Sequence, residues 1–247
     1  MKFAILADIH GNSAALEAVL SDMDDLGISE AVNLGDHMSG PLDAHKTAEM
    51  LIPLNFPSIQ GNHDRWLVEQ NPSDMSPSDK VAYDQLKPHH LDWLRTLPAT
   101  MLVHDEVFLC HATPQNDLDY WLEHIDDDGS ISSASLQEIE QKAEGIEASL
   151  ILCGHTHKPR LIRLSDGRLV LNPGSVGSPG YESDYPVYHE MQTGNPNASY
   201  AIAEKSGTEW LITFRSVPYD TTRMVEMAKE NDRPDWARAV KTGWVTE

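Results

Sequence analysis

Cysteine is scarce in this chain: two in 247 residues, Cys110 and Cys153. That excludes a disulfide-stapled scaffold and a thiolate zinc knuckle. A chain of this length needs neither, because it buries roughly 70–75% of its unfolded surface in its own core. Positive charge is scarce too, with 18 Lys+Arg against 39 Asp+Glu and a net charge of -21. Such a surface repels nucleic-acid phosphates and anionic lipid, so non-specific binding to either is not expected. An anionic substrate would need the field reversed locally, which bound divalent cations do. No stretch approaches ~18 apolar residues, so no membrane-spanning helix is expected. The opening MKFAILAD has one Lys and a short apolar run ended by Asp8, too short for a signal-peptide core. A soluble, cytoplasmic protein is the expectation, compatible with a homo-oligomer. What the chain does have is 12 histidines, and their placement carries most of the functional reading.

Phe3–Ala7 is a short apolar run closed by Asp8-Ile9-His10-Gly11-Asn12, a buried strand followed by a loop. Ser13–Leu26 carries Leu16, Val19, Leu20 and Met23 at helical spacing, with Gly27 as a stop. Ala31–Leu34 reads as a strand closed by Gly35-Asp36, Leu42–Leu54 as a helix, and Phe56–Gln60 as a strand closed by Gly61-Asn62-His63-Asp64. This βαβαβ order predicts a parallel sheet covered on both faces. Further on, Ser78–Leu97 reads as helical with a break at Pro88, and Thr100–His104 and Val107–Cys110 as strands. Leu118–Ser133 is acidic and loop-like. Its Asp126-Asp127-Asp128-Gly129 tip lacks the later acidic ligands of a calcium loop and reads as a solvated turn. Ser135–Ala143 is a helix with a capping-box spacing to Glu138. Leu150–Cys153, Arg160–Leu164, Arg168–Leu171, Tyr200–Ala203 and Trp210–Val217 are strands, and Thr221–Glu230 and Pro234–Lys241 are helices. Residues 1–247 are expected to form one domain, with 220–247 a helical C-terminal extension.

Five of these strands end in residues that can hold a metal: Asp8 with His10, Asp36, Asn62 with His63, His111, and His155 with His157. In open α/β sheets ligands bind outside the carboxyl ends of the strands, so all five can gather on one edge. In extended backbone a spacing of two, as in Asp8/His10 and His155/His157, turns both side chains to one side. Imidazole and carboxylate donors without thiolate suit zinc, manganese, iron, nickel or cobalt. A pair of such ions generates a nucleophile at neutral pH and stabilises in-line displacement at phosphorus.

In that order, Asp8-x-His10, Gly35-Asp36, Gly61-Asn62-His63-Asp64, His111 and Gly154-His155-Thr156-His157 resemble the calcineurin-like metallophosphoesterase family. Asn172-Pro173-Gly174-Ser175-Val176-Gly177 is similar to a turn in its small bacterial phosphodiesterase-like branch. The resemblance implies an α/β fold, a four-layer α/β/β/α sandwich with two divalent ions, manganese favoured. By the same resemblance Asp8, His10 and His157 would hold one ion and Asn62, His111 and His155 the other, with Asp36 bridging. It implies hydrolysis of a small phosphate ester, diester or monoester, by in-line attack of a metal-bridging hydroxide. His63 would contact the phosphoryl group or protonate the leaving oxygen, a task suited to imidazole. The protein-phosphatase branch orients that histidine with an acid three residues after its Gly-Asp; Ser39 stands there in this chain, and Asp64 is the candidate to replace it. Asn12, His37 and Arg65 follow or adjoin ligand positions, as substrate contacts or as supports of the ligands. The remaining histidines and the two cysteines read as structural. A non-catalytic metal-binding scaffold on the same fold and a redox metalloenzyme are the competing functions.

Overall fold

The computed structural model describes residues 1–246; Glu247, the last position of the expected extension, lies outside them. In chain order the strands are β1 (Lys2–Leu6), β2 (Ala31–Asn33), β3 (Thr100–Val103), β4 (Val107–Cys110), β5 (Glu123–Ile125), β6 (Ile131–Ser133), β7 (Leu150–Leu152), β8 (Arg160–Arg163), β9 (Leu169–Asn172), β10 (Gly180–Ser183), β11 (His189–Gln192), β12 (Ala198–Ser206) and β13 (Glu209–Val217). The helices are α1 (Ser13–Asp25), α2 (Ala44–Leu51), α3 (Asn62–Glu69), α4 (Pro77–Gln85), α5 (Pro88–Thr96), α6 (Leu136–Lys142), α7 (Thr222–Glu230) and α8 (Pro234–Thr242).

Two main sheets result, ordered β13-β12-β1-β2 and β3-β4-β7-β9-β8. In the first sheet only the edge pair β1/β2 is parallel, β12 running antiparallel to both β1 and β13; in the second the inner pairs β4/β7 and β7/β9 are parallel and the outer pairs antiparallel. Period-two alternation sorts side chains between the faces. Ala4 and Leu6 of β1 pack toward the helices with Leu16, Val19, Ala48, Leu67 and Leu94. Phe3 and Ile5 point the other way, onto Leu109, Leu150, Leu152, Leu169 and Leu171 of the second sheet. The opposite face of that sheet gives Cys110, Ile151 and Val170 to Ile139 of α6 and to Ala143, the residue that follows it. Three apolar clusters therefore separate helices, sheet, sheet and helix in that order. Each fully buried Leu or Ile contributes about 1.5–3 kcal/mol. Both cysteines are buried in the last cluster, and burial pushes their thiols up, so they pack as small apolar groups.

Some expectations are corrected. Phe56–Gln60 makes only a single parallel bridge, Asn33 to Ser58, because Pro57 has no N–H to continue a ladder. The break near Pro88 lies before that residue, which opens α5 at the position where a missing N–H costs nothing. The acidic loop carries a small hairpin, β5/β6, around its Asp126–Gly129 turn. The hairpin β10/β11 falls where no strand is read from the sequence. At the C-terminal end, α7 and α8 bury Met224, Val225, Ala237 and Val240 against Leu42 and Ala14, and Asn231 Nδ2 donates to the Pro41 carbonyl at 3.0 Å. That packing brings Trp236 to within 5.7 Å of the His10 ring.

A candidate metal centre at the strand ends

Asp8 and His10 follow β1, Asp36 follows β2, His111 follows β4, His155 and His157 follow β7, and Asn62 opens α3. Their donor atoms meet. His10 Nε2 lies 3.2 Å from His157 Nε2, and His157 Nε2 lies 3.5 Å from Asp8 Oδ1. Asp36 Oδ2 lies 3.7 Å from His10 Nε2 and 3.4 Å from His111 Nε2. His111 Nε2 is 3.0 Å from Asn62 Oδ1, and the His111 and His155 rings are 5.2 Å apart. Two groups, Asp8/His10/His157 and Asp8/Asp36/His111, each bring three ligand atoms within 4.8 Å of one another. Asp36 Oδ2 is the oxygen that faces imidazoles of both, the position the bridging reading requires.

The second nitrogen of each ring decides what the first can do. His111 Nδ1 donates to the Leu34 carbonyl at 2.8 Å, and His157 Nδ1 donates to the Ser178 carbonyl at 2.5 Å. His155 Nε2 donates to the Leu118 carbonyl at 3.0 Å, and His10 Nδ1 pairs with Ser39 Oγ at 2.9 Å. Fixing one nitrogen as a donor leaves the other with a lone pair, the form that ligates metal. Ser39, which stands where a family branch has an acid, thus pairs with His10 rather than with His63.

The backbone is strained for this purpose. Asp8, His10, Asp36, His155 and His157 have φ of 54°, 50°, 55°, 68° and 59°, a left-handed region that non-glycine residues rarely enter. The same-side geometry expected from extended spacing is therefore produced by left-handed turns instead. Two motif glycines allow close approach. A Cβ on Gly61 would stand 2.3 Å from Asp36 Oδ1, and one on Gly35 would meet Gly61 N at 2.5 Å and His111 Nδ1 at 2.9 Å. The Asn172–Gly177 turn braces the floor: Ser175 Oγ donates to the Asp8 carbonyl at 2.7 Å and Asn172 Nδ2 to the Gly154 carbonyl at 2.7 Å.

Charge follows from burial and proximity. Burial, reinforced by His157, His63 and His111 against the pull of Asp36, drives His10 well below the usual imidazole range. Burial and then His111 push His155 down to about 3. Burial opposes ionisation of Asp36, but His111, His63 and His10 hold its carboxyl well below the usual range. Neutral imidazoles beside an ionised carboxylate are the donor set a divalent cation needs. Burial likewise opposes charge on His111, yet Asp36 and Asp8 raise it to about 10, so a proton occupies that place until a cation takes it. The residues fit a metal centre.

Above this floor opens a cavity of about 500 Å³, with His10, Asp36, Asn62, His63, His155 and His157 at its base. His63, on the first turn of α3, keeps its side chain 28% exposed to the cavity. Its Nδ1 lies 2.8 Å from Asp79 Oδ1 of α4. Burial opposes its charge, but Asp79 and Asp36 raise its pKa to about 9. Asp79 is itself buried and receives Ser76 Oγ at 2.7 Å. This corrects the expected His63–Asp64 pair. Asp64 instead accepts the N–H groups of Gly61 (3.0 Å), Asp36 (2.7 Å) and His37 (3.0 Å), and pairs with His37 Nδ1 at 2.7 Å. It ties three loops together from below. Asp79 lies 16 residues from its partner in sequence, on another helix, and no local spacing signals it.

The three residues of open role turn away from the cavity lining. Asn12 caps α1 through the Ala15 N–H at 3.0 Å and donates to the Gly177 carbonyl and Tyr219 Oη. His37 is buried with its ring edge 5.1 Å from Trp93, and its Nε2 has no partner among the described residues. Arg65 forms a two-point pair with Asp117 at 2.7 and 2.9 Å.

Comparison with known proteins agrees with this geometry. A family model described as the calcineurin-like phosphoesterase superfamily domain matches residues 1–195. The chain is 26% identical over 248 residues to an uncharacterized protein of Methanocaldococcus jannaschii, covering 94% of each. It is similar to the crystal structure of a metallophosphoesterase from Sphaerobacter thermophilus at 25% identity and a TM-score of 0.75, covering 98% of this chain and 100% of that one. A hypothetical protein from Pyrococcus horikoshii OT3 shares the fold at a TM-score of 0.76 and 20% identity, with 98% of each chain covered.

Proposed function

Because the chain belongs to the calcineurin-like phosphoesterase superfamily, whose members are metal-dependent phosphoric ester hydrolases, we propose that it hydrolyses a small phosphate ester at a centre of two divalent ions. Asp8, His10 and His157 would hold one, Asn62, His111 and His155 the other, and Asp36 both. The donor set accepts manganese, iron, zinc, nickel or cobalt, and manganese is our choice. When bound, such ions supply Lewis acidity that activates water and neutralises the phosphoryl oxygens. The observation that carries the reading is that four imidazoles have one nitrogen tied off by Leu34, Ser178, Leu118 and Ser39, while the other nitrogen of His10, His111 and His157 lies 3.7, 3.4 and 3.5 Å from a carboxylate oxygen of Asp36 or Asp8.

The chain's own residues do the rest. Asp79 accepts from Nδ1 of His63 and so turns Nε2 toward the cavity, where its proton can pass to the leaving oxygen. The His63 N–H donates to Asp36 Oδ1 at 3.0 Å, which fixes the proton donor relative to the bridging carboxylate. Among the described residues no helix is long and apolar enough to cross a membrane; a cytoplasmic role on a dissolved ester is part of the same proposal. The test is hydrolysis of bis(p-nitrophenyl) phosphate by the full chain with manganese and with chelator, alongside elemental analysis. Turnover that depends on about two bound ions per chain is expected. Full metal loading without turnover of any ester would favour the scaffold reading instead.

A further inference from the structure

Six aromatic rings line the cavity: Trp66, Tyr120, Tyr181, Tyr185, Tyr188 and Trp236. Four lean on histidines of the floor. Trp66 packs on His63 at 4.7 Å, Tyr120 stacks on His155 at 5.2 Å, Tyr181 meets His157 at 4.7 Å and Trp236 meets His10 at 5.7 Å. Tyr185 and Tyr188 stand at the mouth, each 53% exposed. Exposed carboxylates of Glu182 and Asp184 line the same hairpin. Among the described residues Arg233 is the single Lys or Arg in the lining, and it is spent: its guanidinium pairs with Asp235 and donates to Ser78 Oγ.

We propose that the esters cut here are phosphodiesters in which one alcohol arm carries a positive charge, an amine or quaternary ammonium. This rests on the phosphoesterase reading and narrows it. Ring faces carry negative quadrupole potential and attract ammonium groups, and carboxylates beside them add to it. A second anionic group, as on a polyphosphate or a monoester dianion, finds no unspent Lys or Arg in the described lining. A chain of net charge -21 also repels a dianion on approach, whereas a zwitterionic diester carries no net charge. A nucleoside arm would stack on the same rings but gain nothing from Glu182 and Asp184. Trp236 comes from α8, beyond the 195 residues of the family match, whereas the other five rings lie within them.

Three chromogenic esters with one leaving group separate the classes: p-nitrophenyl phosphorylcholine, the p-nitrophenyl ester of thymidine 5′-phosphate, and p-nitrophenyl phosphate. With the manganese-loaded full chain, kcat/KM for the choline ester should exceed that for the thymidine ester by about tenfold, the scale of one ammonium–aromatic contact. The monoester should be slowest. The paired variant Tyr185→Leu/Tyr188→Leu, at positions outside the buried core, should remove the choline preference. Independently of turnover, choline chloride should quench tryptophan fluorescence saturably in metal-free protein, against a sodium chloride control, and less so in that variant. Equal rates for the two diesters, a faster thymidine ester or monoester, or no saturable quench would overturn the proposal. If bis(p-nitrophenyl) phosphate is also untouched, the phosphoesterase reading fails, and the choline titration still tests the collar.

Discussion

Histidines gather with carboxylates in two regions of this molecule. One is the cavity floor. The other is at the surface, where Glu49 Oε1 of α2 receives Lys87 Nζ at 3.1 Å and His90 Nε2 at 3.2 Å, with His45 and His89 Nε2 each 3.9 Å away. His45, Glu49 and His90 bring ligand-type atoms as close together as the floor does. The two differ in the far side of the rings. His90 Nδ1 accepts the Lys87 N–H at 3.2 Å at the start of α5, which puts its proton on Nε2, and Lys87 already fills the cation position. On the floor the far nitrogens of His111, His155 and His157 donate to carbonyls, so the near nitrogen is the one that opens to a cation once it carries no proton. Proximity of donors is common to both regions; the protonation pattern is not.

That contrast can be broken by experiment. The largest effect is expected for Asp36→Asn, which should remove metal-dependent turnover and lower manganese content by elemental analysis; unchanged content would remove the floor's claim to be the metal centre. Next, His63→Ala should lower kcat by about 10²–10⁴-fold with manganese content kept. Asp79→Asn should lower kcat less and leave KM in place, because it orients rather than transfers. Equal activity in wild type and His63→Ala would end its proton-donor role. Third, Gly61→Ala forces a Cβ onto Asp36 and should cost about 1–3 kcal/mol in denaturant unfolding, together with metal.

The smallest effects belong to the surface cluster. Glu49→Gln should change stability by less than about 1 kcal/mol and leave metal content alone. His90 supplies a pH signature. Burial, then His89, lowers its pKa below the ordinary value. The unfolded chain therefore takes up a proton first on acidification. The stability tied to neutral His90 is present above the unfolded pKa of about 6.5 and is lost as pH falls below it. His90→Gln should flatten the unfolding midpoint between pH 7 and 5 by a small amount. If it also changed metal content, the surface cluster would have to be regarded as a second site.

The convergence of the strand-end residues was legible in the sequence because a parallel strand must deliver its last residues to one edge, and Asp8, Asp36, His111, His155 and His157 each follow an apolar run. The strands β1, β4, β7 and β9 were legible as short apolar runs bounded by turn residues, but the βαβαβ order predicts one parallel sheet between helices, and the packing of a second sheet on its inner face was implied only by the family resemblance. What escaped depends on tertiary contact. Asp79 reaches His63 across two helices, Asp64 proves a strut for His37 and three backbone N–H groups, and Trp236 closes the cavity from the far end of the chain. The hairpin β10/β11, rich in polar and proline residues, has no periodicity to betray it.

The positive φ values of Asp8, His10, Asp36, His155 and His157 have a bearing on descent. Each holds an L-residue where asparagine or glycine would rest more easily. A copy of this gene released from the need for ions should drift toward those two amino acids at these five positions before its core changes. The turns would persist as fossils of the chemistry, and such a descendant should unfold at a higher temperature than its metal-free parent.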